Sequence, residues 1–77
     1  MPTLIYIGNV KIRIYPKDHT PPHVHAVGPD CEAKFEIDTL LCTFSRGFSE
    51  RDLRNIQEHL AKHRGYLLEV WNEYQED

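Results

Sequence analysis

Hydrophobic and polar positions alternate with a period of two through the first half of the chain, then recur three and four apart through the second. Thr3 to Ile7 is β-branched and aromatic, and Gly8-Asn9 is turn chemistry. Residues 10–15 then alternate strictly, with Val10, Ile12 and Ile14 on one side and Lys11, Arg13 and Tyr15 on the other. That pattern is a hairpin with one buried face. Pro21 and Pro22 cannot donate to a ladder, so residues 16–22 read as a loop or an edge connection. A short third strand covers residues 23–27 and stops at Gly28-Pro29-Asp30. In residues 31–37, Cys31, Ala33, Phe35 and Ile37 stand opposite Glu32, Lys34 and Glu36; residues 40–44 give a fifth strand, punctuated by Gly47.

The helical half opens on capping signals. Ser49 is the expected N-cap, Asp52 completes an acidic variant of the capping box, and Phe48 and Leu53 occupy the two places of a hydrophobic staple. Leu53, Ile56, Leu60, His63, Leu67, Val70 and Tyr74 then form one apolar stripe, flanked by Trp71. A single rod over residues 49–75 would run about 40 Å, against a width of roughly 30 Å for a compact domain of this size. The pattern therefore predicts a break near Arg64-Gly65, with Gly65 as the terminating residue; an unbroken rod would instead overhang and pack on a partner. The expected fold is α+β, one domain over residues 1–77. An antiparallel sheet of four or five strands lies in the strand-rich part, 3–44, with one long or two short helices over 49–75 packed on one face.

Composition narrows the classes. Seventy-seven residues, 40% hydrophobic and 27% charged, suit one small globular domain and exclude a multidomain enzyme. No run approaches the roughly 18 apolar residues of a membrane span. Met1-Pro2-Thr3 carries no basic region or small-residue cleavage site, so no secretory leader is expected. Nine Lys and Arg against twelve Asp and Glu give a net charge of −3, and protonation of all five histidines would bring it to +2. A nucleic-acid contact would thus be local to one surface. A turn at Asp38-Thr39 would pair Ile37 with Leu40 and Phe35 with Cys42, leaving Cys31 opposite Arg46 and too far from Cys42 to bridge. Both cysteines are expected as reduced thiols of a cytoplasmic protein, packed as small apolar residues.

Candidate chemistry concentrates in Asp18-His19-Thr20-Pro21-Pro22-His23-Val24-His25. In a strand, His23 and His25 project to one face while Val24 and Ala26 face the core. That places both imidazoles with Lys11, Arg13, Tyr15, Glu32 and Lys34, and the prolines bring His19 to the strand edge. Three readings stand side by side. His19, His23 and His25 can ligate Zn²⁺, Ni²⁺ or Cu²⁺, a spacing that permits a metal without requiring one. The same histidines can make surface hydrogen bonds at a stiff loop-to-strand junction. Or they act as acid–base or phosphate-contacting groups, with Lys11 and Arg13 on an RNA phosphate and Tyr15 stacked on a base.

His59 and His63 are four apart, but Leu60 follows His59 where the zinc-protease pattern requires Glu. His63 is expected in the core and His59 in solvent, and Trp71 and Tyr74 as packing residues. The sequence has no glycine-rich phosphate loop, paired-cysteine zinc pattern or nucleophile elbow.

The proline–histidine run, followed by His63-Arg64, Leu67-Leu68 and Trp71, resembles the bacterial domain of unknown function 4160 family over nearly the whole chain. Gly65 departs from the helix-forming residue usual there, and His59 matches no motif of the family. The resemblance implies a small component of a two-gene, toxin–antitoxin-like module and defines no active site. Joined to the polar face, it gives the leading expectation: a cytoplasmic binding component without cofactor. Lys11, Arg13, His19, His23 and His25 would contact RNA or a small protein partner encoded nearby. The sequence does not decide between a binding protein and an enzyme; an enzyme would be metal-free and endoribonuclease-like or a metal-dependent hydrolase, with His23, His25, Arg13 and Tyr15 as catalytic candidates. Two other classes stand beside it: a Zn or Ni protein built on His19, His23 and His25, and a structural homodimer joined at Trp71 and Tyr74.

Overall fold

Strict alternation of apolar side chains gives each strand one face to bury, and the chain meets that demand with a meander closed by two helices. The computed structural model describes residues 3–14 and 21–75. Five strands come first: β1 (Thr3–Ile7), β2 (Val10–Arg13), β3 (His23–Gly28), β4 (Cys31–Glu36) and β5 (Cys42–Arg46). Helices α1 (Glu50–Lys62) and α2 (Arg64–Gln75) follow. The sheet order is β1-β2-β3-β4-β5 and every pair is antiparallel, so the fold is the expected α+β class. Ile12, Ala26 and Ala33 form one cross-strand row and Val24 and Phe35 another. These join Ile56 and Leu60 of α1 and Leu67 and Trp71 of α2 in a single core. Tyr15 and His19 lie outside the described residues.

The β4–β5 pair departs from the simplest reading at its turn and in its ladder. The β4–β5 hairpin does not turn tightly at Asp38-Thr39. Glu36 N–H donates to the Leu41 carbonyl at 2.9 Å, while the Glu36 carbonyl accepts from Leu40 N–H at 3.0 Å. Leu40 takes φ +63, the place glycine normally holds in a bulge of this pattern. A second irregularity between Lys34 and Phe35 shifts the pairing by one, so Lys34 faces Phe44 and Phe35 faces Cys42. Strand β5 therefore runs two residues later than its composition suggested. Glu32, not Cys31, lies opposite Arg46. Cys31 pairs with Gly28, and both cysteines are free.

The cap of α1 forms as the sequence predicts. Asp52 N–H donates to Ser49 Oγ at 3.1 Å and Ser49 N–H to Asp52 Oδ2 at 3.4 Å. Phe48 and Leu53 pack against the core beside it. The helix does break, but at His63, whose N–H turns back to the Leu60 carbonyl at 3.1 Å while its own carbonyl accepts from Leu67 N–H. Gly65 sits inside the first turn of α2 and does not terminate anything. At the break the stripe loses its register, so His63 is exposed where its spacing had placed it in the core. Two side chains fasten this region to the β4–β5 turn: Gln57 Nε2 donates to the Leu40 carbonyl at 2.6 Å, and Arg64 Nε to that of Ile37 at 3.2 Å. Among the described residues no helix is long and apolar enough to cross a membrane.

Candidate functional site: the outer sheet face

Because the apolar positions of each strand point toward the helices, the polar positions share the other face. Register makes the grouping explicit. Arg13 pairs with His25, His25 with Lys34, and Lys34 with Phe44, a continuous row across four strands. Beside it runs Tyr6–Lys11–Val27–Glu32–Arg46, across all five. Among the described residues the face carries Lys11, Arg13, Lys34 and Arg46 against two acids, Glu32 and Glu36. The whole chain has nine cations and twelve acids, so the balance among the described residues of this face is the reverse of the chain's. Tyr6, 66% exposed, and Phe44, 44% exposed, put aromatic rings near its two edges.

The two described histidines of the proline–histidine run lie on this face, as their spacing predicts, but in unequal settings. His23 is half-buried. Its Nδ1 is 2.9 Å from the Pro21 carbonyl oxygen, which can only accept, so Nδ1 carries the proton and Nε2 the lone pair of the neutral ring. His25 is only 8% exposed. Its ring centroid is 5.2 Å from that of His23, and its Nδ1 lies 3.7 Å from Glu32 Oε2. Glu32 also reaches Arg46 Nη2 at 3.9 Å, so one carboxylate sits between an imidazole and a guanidinium. A general acid or base must come within hydrogen-bond reach of a substrate proton; His23 presents a ring edge at the surface, while His25 is sunk beneath its neighbours.

Sequence spacing gives Trp71 a packing role or a place at one end of a dimer surface. It is 2% exposed within this chain, so it is not available as an interface side chain. Its indole centroid instead lies 5.4 Å from that of His23. Nothing in local spacing signals this contact, since the two residues are 48 positions apart in the sequence. Among the described residues no three His, Cys, Asp or Glu side chains gather into a metal-holding group. His59 is held to its own helix, with Nδ1 2.9 Å from the Asn55 carbonyl.

A shallow groove of about 250 Å³ crosses one end of the outer face, with Lys11 and Arg13 in its wall. These are the two cations that the sequence reading sets on an RNA phosphate, and the groove gives them a common wall. Against known proteins, the model of a family described as a domain of unknown function (DUF4160) matches residues 9–72. No curated protein and no solved structure matches the chain at a significant level.

Proposed function

The chain belongs to the DUF4160 family, and we propose that it is a cytoplasmic binding component of a small two-gene, toxin–antitoxin-like module whose outer sheet face holds single-stranded RNA. The observation that carries this reading is the row Arg13–His25–Lys34–Phe44, with Tyr6 and Lys11 in the row beside it. Cations spaced across a sheet meet successive phosphates, and exposed rings give bases a surface on which to stack. The buried side chains of both helices join the apolar strand residues in the core, and Trp71 of α2 also meets His23. Among the described residues the face holds more cations than acids, which suits a local backbone contact on a chain of net negative charge. The unequal burial of His23 and His25 favours contact over acid–base catalysis.

Fluorescence anisotropy with a labelled oligouridine tests the proposal. Binding at low salt that weakens steadily as salt rises supports it. A protein that ignores oligouridine yet forms a stable complex with the product of the adjacent gene would transfer the face to a protein partner.

A further inference from the structure

Two clefts meet at one end of the sheet. The outer-face groove that holds Lys11 and Arg13 runs to Asn9 and Pro29. Over that edge, between the strand ends and the start of α1, lies a larger cleft of about 360 Å³. Asn9 and Pro29 line it again, now with Phe48, Asp52 and Asn55. The β1–β2 and β3–β4 turns thus form a rim common to both spaces.

We infer that the larger cleft takes a guanine base whose phosphate lies in the groove, so that Lys11 and Arg13 hold backbone while Asp52 and Asn55 read the base. This rests on the reading of the outer face as an RNA surface, and names what that surface selects. The volume lies at the low end of small-molecule sites, which run about 300–1,000 Å³; it suits one heterocycle. Asp52 and Asn55 are three residues apart on α1, which sets a carboxylate and a carboxamide side by side on the helix. A carboxylate only accepts, whereas the carboxamide also donates. Guanine offers the complement, with N1–H and N2–H donors beside the O6 acceptor. Adenine presents a lone pair at N1, where the carboxylate would need a donor. Phe48, partly buried against the core, supplies an apolar wall for the ring. The charges also sort the ligand's ends. Asp52 repels a phosphate from the cleft, and Lys11 and Arg13 attract it into the groove.

NMR titration of isotopically labelled protein with free GMP and, separately, AMP tests the inference. The expected result is that GMP moves the Asn55 side-chain amide and the Phe48 and Asp52 signals, and binds about tenfold more tightly than AMP. Asp52→Asn, which keeps side-chain volume, and Asn55→Ala, at an exposed position, should each bring the two nucleotides to near-equal affinity. Equal affinities in the unaltered protein, or GMP shifts confined to other surfaces, would overturn the inference. An oligouridine titration separates the two readings. Oligouridine binding along Lys11 and Arg13 with no GMP response in the cleft removes the guanine site and leaves the RNA surface. A GMP response in the cleft with no oligouridine binding keeps the guanine site and removes the RNA surface.

Discussion

The imidazole of His23 and the indole of Trp71 lie 5.4 Å apart, centroid to centroid, with their planes tilted by 51°. His23 belongs by register to the outer face, opposite Glu36, while Trp71 belongs to the core. The contact ties the candidate binding surface to the helix that closes the fold.

His23→Ala should therefore cost about 1 kcal/mol, the scale of an offset ring contact, and still leave a folded protein. Since Trp71 is the chain's one tryptophan, its emission reports the change directly. A red shift together with a lowered urea midpoint is the expected outcome; unchanged emission would mean that the rings do not meet in solution. Trp71→Ala is a harsher test. Truncating a buried tryptophan costs about 3–5 kcal/mol, comparable with all the stability a core of this size supplies. Circular dichroism should then show a largely unfolded chain.

Glycine substitutions should separate by site. Gly47 has φ +85, and an added Cβ would stand 2.6 Å from the Asp30 carbonyl oxygen and 2.9 Å from Cys31 Cβ. Gly47→Ala combines a disfavoured backbone with a backbone clash and should cost at least about 2 kcal/mol. Gly65 lies in α2 with nothing within 4 Å of an added Cβ. Gly65→Ala should stabilise by about 0.5–1 kcal/mol. Denaturation midpoints moving the same way for both would contradict the packing described.

Loss of the α1 cap has a defined size. Ser49→Ala removes the acceptor for Asp52 N–H and should cost about 1 kcal/mol. Amide exchange at the first turn should rise before exchange at Ile56 or Leu60 does.

On the outer face, charge removal should be read through salt. If oligouridine lies along the row, Arg13→Ala and Lys34→Ala should each weaken binding and reduce the slope of log affinity against log salt by about 0.7. Lys62→Ala, on α1 and away from the face, should leave the slope alone. Equal slopes in all three would sink the face as the contact surface.

The two thiols should behave differently. Cys42 is exposed on the edge strand, and Cys31 is half-buried beside Gly28. A thiol reagent should label Cys42 first, and mild oxidation of monomeric protein should form no internal disulfide.

Much of this architecture was legible because it is periodic. Alternation named the apolar and polar faces of β2, β3 and β4, and the Ser49–Asp52 pair marked where the helix starts. What sequence missed are positions where one residue breaks a period. Leu40 adopts a left-handed conformation that its type does not advertise, and the shift beside Phe35 displaces β5. His63 ends α1 by its backbone bonding, so an unbroken stripe in sequence is not an unbroken stripe in space. Of the candidate site, the common face of Lys11, Arg13, His23 and His25 followed from parity alone. The burial of His25 and the reach of Trp71 depend on long-range packing that parity does not carry.

Among the described residues every strand pairs only with its neighbours in the chain, and the helical side chains that join the core come after all five strands. The sheet can therefore assemble by successive short-range pairings, a topology that favours rapid folding. The same order has a cost during synthesis. Ile12, Val24 and Phe35 emerge well before Leu67 and Trp71, so a nascent sheet carries a naked apolar surface until the last helix arrives. Over that interval the growing chain is most open to aggregation or to capture by a chaperone.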